Sequence, residues 1–302
     1  MPRSVVIALF GPTAVGKTAV AIALARILRA EGEDPVAVSA DALQVYAGLE
    51  ILTGAASAAE RAELEHRLIG FLPVDGQFSA GQYAALAHSE IDSLLAAGRR
   101  PIVVGGTGLY LRAALSELSL KPPPAEGARE RWTAELRRSG PEALHATLAL
   151  RAPWAAAGIA STDSHRIVRA LELHDAGELE SPTAESELWT RATRHPTLLI
   201  GLVAERERLY AQIDARVDAM LAAGVQQEVR AAHAAGASGT ARKALGFDDL
   251  LAGDVDSMKR STRNYARRQL TWMRKLQGVI QVDVTERSAE EVAAEIAGYV
   301  LR

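Results

Sequence analysis

Gly11-Pro12-Thr13-Ala14-Val15-Gly16-Lys17-Thr18 is the stretch whose residue types and spacing most directly specify chemistry. Gly11 and Gly16 let a backbone turn wrap inward until its N–H groups face one point, where a following helix adds the positive end of its dipole. Such a cradle suits a diphosphate. Lys17 would reach its bridging and terminal oxygens, and the Thr18 hydroxyl is placed to complete the shell of a Mg²⁺ ion. All eight residues, Gly11, Pro12, Thr13, Ala14, Val15, Gly16, Lys17 and Thr18, are therefore candidate diphosphate-binding positions, with Thr18 also a metal ligand.

Two further polar positions stand out. Asp41 follows an apolar run and admits two readings: a carboxylate that caps the next turn or assists Mg²⁺, or a general base facing whatever meets the diphosphate. Thr107 lies in Gly105-Gly106-Thr107-Gly108, where its hydroxyl either orients a nucleophile or satisfies a buried backbone group. Spacing leaves both pairs of readings open. A nucleoside triphosphatase would ordinarily carry a metal-binding carboxylate at the end of an apolar strand, and the 101–104 run ends in Gly-Gly-Thr instead. The seven histidines show no ligand spacing, so no zinc site is expected.

These positions need elements to hold them. Val5 to Phe10 reads as a buried strand and Ala19 to Leu28 as a helix, the order a P-loop requires. Residues 35–41 form a second strand ending in Asp41, 84–97 a helix stopped by Gly98, and 101–104 a third strand opening into the glycine turn. The alternation predicts an α/β fold, a P-loop parallel sheet flanked by helices, with ligands at the carboxyl ends of its strands. Lys121-Pro122-Pro123-Pro124 breaks the rhythm. From there to about Pro196 the pattern is mostly helical, and the chain returns to the sheet at 197–203. The expected division is a first core part over 1–120, a helical insertion over 121–196, and a second core part over 197–302. That second part holds a long helix over 205–235 bent near Gly224, a basic helix, a strand over 279–284 and a closing helix over 288–301.

Composition bounds the classes. A chain of 302 residues, 48% hydrophobic, can bury a sizeable core, and the lack of cysteine excludes disulfides, a thiol nucleophile and thiolate metal sites. No apolar run approaches the roughly 20 residues of a membrane span, so no membrane partner and a cytoplasmic location are expected, with a monomer as the simplest state. The formal charge is −3, yet residues 257–282 contain no acid and seven basic residues, among them Arg263, Arg267 and Arg274. With Tyr265 and Trp272 interleaved, that segment points to phosphate-backbone binding, a plain solvated face being the alternative.

Taken together, these motifs resemble the tRNA dimethylallyltransferase family, also called tRNA isopentenyltransferases. The resemblance rests on the 11–18 loop, Ser39-Ala40-Asp41-Ala42-Leu43-Gln44-Val45-Tyr46 and Val103 to Tyr110. It continues through His165-Arg166-Ile167-Val168-Arg169-Ala170-Leu171-Glu172, Arg206 to Tyr210 with Arg216-Val217-Asp218, and Thr262 to Trp272. It implies transfer of a dimethylallyl group from its diphosphate to N6 of the adenosine beside the anticodon. In that reading Asp41 is the base, Thr107 contacts the flipped-out adenosine, and Arg206 adds positive charge at the diphosphate. It further implies tRNA contacts from Asp41, Ala42, Leu43, Gln44, Thr107, Arg129, His165, Arg166, Ile167, Val168, Arg169, Arg263 and Arg267, with the insertion gripping the anticodon stem-loop.

The chain departs from the family pattern at Ala42 and Leu43, where a hydroxyl residue and often an Arg are usual, and over Leu52 to Ser57, which lacks a usual lysine. His66-Arg67 replaces a His-His pair. Three other readings share the loop: an adenylate isopentenyltransferase acting on free nucleotide, a P-loop small-molecule or nucleotide kinase, and an RNA-binding protein without catalysis. The helical insertion and the basic helix favour tRNA over a free nucleotide, and nucleoside triphosphate binding at the loop stays open as a side activity.

Overall fold

Val6–Phe10 is five consecutive apolar residues, all buried, and in the computed structural model of the chain it forms the central strand β1. The structure describes residues 5–121, 125–181 and 187–301. The other strands are β2 (Pro35–Ser39), β3 (His66–Arg67), β4 (Arg100–Gly105), β5 (Thr197–Val203) and β6 (Ile280–Asp283). They make one sheet in the order β3-β2-β4-β1-β5-β6, and every pairing is parallel. Parallel strands need helical crossovers that cover both faces, which is why β1 and the middles of β2 and β4 read as unbroken apolar runs rather than alternating ones.

The order places β1 between β4 and β5, where connections to either side diverge. A crevice opens at such a reversal, beyond the carboxyl ends of the strands. The Lys17–Ala30 helix buries Val20, Ala21, Leu24, Ala25 and Leu28 against the sheet and packs beside the closing Ala289–Val300 helix. The expected 205–235 helix is two helices, Arg206–Ala222 and Val225–Ala234, divided at Gly224 (φ 91°). The expected basic helix is Val255–Lys275, with Met258, Thr262, Ala266, Gln269 and Met273 on its buried face.

The chain divides into two compact units, one of residues 1–118 with 187–302 and one of 119–186. The second unit is helical, as its sequence pattern predicts. Helices Ala128–Ser139, Pro141–Arg151, Pro153–Ala157 and Ser164–Asp175 enclose Trp132, Leu144, Leu148, Ile167 and Leu171. Asp163 caps the last of these by accepting the Arg166 N–H at 3.1 Å.

The return boundary differs from the expected residue 196, because residues 187–196 belong to the sheet-containing unit. Trp189 packs its ring 4.7 Å from that of Trp272, and Ala192 O accepts from Ser116 Oγ at 2.7 Å. Arg194 N–H donates to Leu115 O at 2.8 Å, while its guanidinium joins Asp92 and Glu117. Polar composition alone conceals such long-range anchoring. The prolines at 122–124 lie outside the described residues.

Candidate active site

β1, β2 and β4 end at one edge of the sheet, and their register fixes what meets there. Phe10 pairs with Gly105, and Ser39 with Val104. Gly11, Asp41 and Thr107 therefore all follow within two residues of the last paired positions.

In the Gly11–Thr18 loop both Ala14 (φ 65°) and Gly16 (φ 95°) take left-handed backbone. Alternation of backbone hand turns successive N–H groups to one side, forming an anion-binding concavity. Glycine tolerates that conformation at 16, while Ala14 holds it against its own Cβ, a strain of the kind found at ligand clamps. The Lys17–Ala30 helix then starts with no side-chain cap at Gly16 and no acid in its first turn, so its positive end faces the loop uncompensated.

Lys17 is half-buried and folds back over the loop, its Nζ donating to Gly11 O at 3.0 Å and Pro12 O at 2.9 Å. Burial, and then the nearby Arg216 guanidinium, lower its pKa to about 7, with Asp41 opposing the fall. Arg216 comes from the Arg206–Ala222 helix and lies over Gly54, where a Cβ would overlap its guanidinium; it donates to Thr53 O at 3.4 Å. Burial lowers the Arg216 pKa as well, against the fields of Asp41 and Glu60. Two crowded cations favour an anion beside them.

Asp41 Oδ1 accepts the Leu43 N–H at 3.0 Å, a local turn that holds the carboxylate at the end of β2. Its charge raises the pKa of Lys17, Arg216, Tyr83, Tyr110 and Tyr265, placing one carboxylate among two cations and three phenols. Tyr83 donates to Ser39 O at 2.9 Å and packs on Tyr110 with ring centroids 4.5 Å apart, so the end of β2 is braced from behind. Burial first, then Asp41, push Tyr265 up to about 12, and its hydroxyl lies 3.2 Å from Thr107 Oγ1.

Not every expected residue joins this group. Arg206, expected at the diphosphate, is exposed at the first position of its helix and stacks 5.2 Å from the Tyr210 ring centroid; Arg216 is the arginine beside Lys17. Gln44 spends its amide on Ser39 Oγ (2.9 Å) and Gly54 O (3.3 Å), and Leu43 packs against a core of Val45, Leu52 and Phe247. These two shape the 40–55 loop. Ala42 is half-buried beside them.

In the helical unit Ile167 and Val168 are 0% and 7% exposed, so their side chains form core. Helical spacing with Leu171 carried that signal. Arg129 makes a two-pronged pair with the fully buried Glu172 carboxylate (2.7 and 2.9 Å), and Arg169 joins it at 3.2 Å. Burial opposes the charge on Glu172, yet these arginines hold its pKa below the ordinary value. His165 and Arg166 are exposed on the same helix.

The basic helix is less uniform than its sequence. Arg263 is bound to Asp214 at 2.6 and 2.9 Å and Lys259 to Asp218 at 2.6 Å, the acids arriving from the Arg206–Ala222 helix. Arg267 is exposed and touches Asn264 on its own helix, and Arg268 and Arg274 are exposed too. Sequence reading missed the roles of Arg216, Tyr265 and Gln269, which depend on which face of a helix meets loops 150 or more residues away.

Comparison with known proteins bears on the family and the fold. The model of the family described as IPP transferase matches residues 44–276. A tRNA dimethylallyltransferase of Kineococcus radiotolerans is 40% identical over 286 residues, 91% of this chain and 89% of that protein. The crystal structure of a Bacillus halodurans tRNA isopentenylpyrophosphate transferase superposes with a TM-score of 0.70 at 31% identity, covering 99% of this chain and 96% of that one. A eukaryotic dimethylallyltransferase crystallised acting on tRNA shares the fold, with a TM-score of 0.78 at 23% identity over 98% of this chain and 79% of its own.

Proposed function

Since the chain belongs to the IPP transferase family, we propose that it transfers a dimethylallyl group from dimethylallyl diphosphate to N6 of the adenosine that follows the anticodon in tRNA. It is a prenyltransferase acting on tRNA. The observation that carries the detailed reading is the meeting of Lys17, Arg216, Asp41 and the Thr107–Tyr265 hydroxyl pair at one sheet edge.

An exocyclic adenine amine is a poor nucleophile because its lone pair is delocalised into the ring, so a carboxylate that accepts its proton is valuable. Asp41 has one oxygen fixed by Leu43 N–H and the other to offer. As the N6–C bond forms, the allylic C–O bond breaks and its electron pair leaves on the diphosphate. The loop amides, Lys17 and Arg216 stabilise that growing charge. Thr107, held by Tyr265, is placed to orient the amine. An adenine inside a stacked anticodon loop must be flipped out to reach such a crevice.

The residues present suit Mg²⁺. Thr18 supplies a hard oxygen donor at the second position of its helix, and no group of three His, Cys, Asp or Glu among the described residues makes a self-sufficient metal cage. That fits an ion that keeps water and substrate phosphate in its shell. When bound, it would neutralise leaving-group charge.

For tRNA, the exposed Arg267, Arg268 and Arg274 and the His165–Arg166 end of the helical unit are the contacts we favour, with the anticodon stem-loop as ligand and one chain sufficient. Among the described residues no helix is long and apolar enough to cross a membrane, and we place the activity in the cytoplasm. The test is incubation with Mg²⁺, dimethylallyl diphosphate and unmodified tRNA beside AMP, followed by nucleoside mass analysis. An isopentenyl mass gain on one tRNA adenosine, and none on AMP, supports the reading. Gain on AMP alone, or on neither, overturns it.

A further inference from the structure

β1 and β4 are hydrogen-bonded as far as Phe10 and Gly105, and there the ladder stops. Beyond it the two chains separate into the Gly11–Thr18 loop, which carries the diphosphate site, and the Gly105–Gly108 turn, which carries Thr107. The side chain of Gln269 bridges them. Its Oε1 accepts the Thr13 N–H at 2.8 Å and its Nε2 donates to Gly106 O at 2.8 Å. A primary amide has the donor and acceptor of a peptide group, so this side chain acts as one more rung where the backbone can no longer pair.

Several features make this contact specific. Gln269 is 4% exposed, and its neighbours on the buried face of the Val255–Lys275 helix are Met258, Ala266, Met273 and Thr262. The Thr262 hydroxyl returns to its own helix at Met258 O, 2.7 Å away. Gln269 reaches off the helix, and its partners lie 256 and 163 residues away. A Cβ on Gly106 would collide with the Gln269 amide nitrogen and come within 3.3 Å of Gly11 O, so the turn is shaped to admit the rung. Committing the Thr13 N–H to Gln269 leaves the phosphates to the amides further along the loop.

We propose that Gln269 is a positioning residue that couples the diphosphate loop to the acceptor turn, fixing the separation between the allylic carbon and the amine that attacks it. The proposal rests on the prenyl-transfer reading above. A displacement of this kind needs reacting atoms held about 3–3.5 Å apart in line, and a misplacement near 1 Å costs on the order of 10²-fold in rate. Each substrate still has its own contacts on its own side. Losing the rung therefore lowers turnover more than it weakens the binding of either substrate.

Two variants and two readouts test this. Gln269→Met fills the same volume without hydrogen bonds and should lower kcat by roughly 10²-fold while KM for dimethylallyl diphosphate and for tRNA each change less than about threefold. Gln269→Glu keeps the acceptor for Thr13 but donates to Gly106 O only when protonated. Its kcat, taken relative to the parent protein, should recover as pH falls from 8 to 6. Independently of any reaction, inorganic diphosphate should slow amide hydrogen exchange in both 11–18 and 105–110 of the parent protein, and in 11–18 alone in Gln269→Met.

An unchanged kcat, a change confined to KM, a deficit in Gln269→Glu that is flat with pH, or exchange coupling that survives in Gln269→Met would each overturn the role. If Gln269→Met does not fold, the pH response of Gln269→Glu decides. A parent protein that prenylates no tRNA would instead remove the reading of the reaction, leaving the exchange measurement to judge Gln269.

Discussion

The Thr107 hydroxyl and the Tyr265 phenol lie 3.2 Å apart, although 158 positions separate them in the chain. Because burial and the Asp41 charge push the phenol up to about 12, it stays neutral between pH 6 and 9 and keeps its hydrogen bond to Thr107. Removing it by Tyr265→Phe should lower kcat about tenfold, the worth of one neutral hydrogen bond expressed in the transition state. The acid limb of the pH–rate profile should not move. Steady-state kinetics between pH 6 and 9 check both statements.

Asp41→Asn keeps the shape of the β2 terminus and can still accept the Leu43 N–H, but it cannot take a proton. Turnover should fall by roughly 10²–10⁴-fold with tRNA affinity retained. Single-turnover prenylation beside filter binding separates the two, and an unaltered rate would remove Asp41 from the chemistry.

Lys17 supplies a pH prediction. Burial and Arg216 hold it near 7, and a diphosphate beside it favours the charged form and raises that value. Above pH 7 the free protein has lost the proton that the complex keeps, so binding must take one up. Affinity should fall by close to tenfold per pH unit there, and little below pH 6. Calorimetry of diphosphate binding at pH 8 in buffers of different ionisation enthalpy should report an uptake of roughly one proton.

The basic helix separates into two behaviours. Arg267→Ala with Arg274→Ala should weaken tRNA binding and reduce its salt slope by about one unit for each phosphate that is no longer neutralised. Arg263→Ala breaks the pair with Asp214 and should mainly lower the melting temperature. Equal slopes for parent and double variant would show that this surface does not touch RNA.

Within the helical unit, Glu172→Gln removes a buried charge that the partly exposed Arg129 and Arg169 neutralise, and should destabilise that unit by about 1–2 kcal/mol. Glu172 is held below its ordinary pKa. Its contribution is therefore fully present above the unfolded carboxylate range near 4.5 and is lost as pH falls through the lower folded value. Acid unfolding followed by circular dichroism should show a steeper fall in the parent than in the variant.

The grouping of polar positions at one sheet edge was legible where the signal was local. The 11–18 loop, Asp41 and Thr107 each follow an apolar run, and the parallel sheet follows from how those runs alternate with helices. Arg206 and Arg216 sit ten residues apart on one helix, and periodicity cannot say which of them faces the crevice. Gln269 carried no signal, because a glutamine inside a basic amphipathic helix reads as another polar residue until its partners at Thr13 and Gly106 are known. The ion pairs of Arg129 and Arg263 were hidden for the same reason: their acids, Glu172 and Asp214, are 43 and 49 positions away.

Leu115 and Arg194 share a backbone hydrogen bond, and Ser116 reaches Ala192 across 76 positions. A polypeptide that departs and returns through one such contact has already closed its own loop, so the length of what lies between adds little entropic cost to the sheet. The 119–186 segment is in that sense a cassette. Chain can be added to it or removed from it at a cost that grows only slowly with length, while strand order and register stand unchanged.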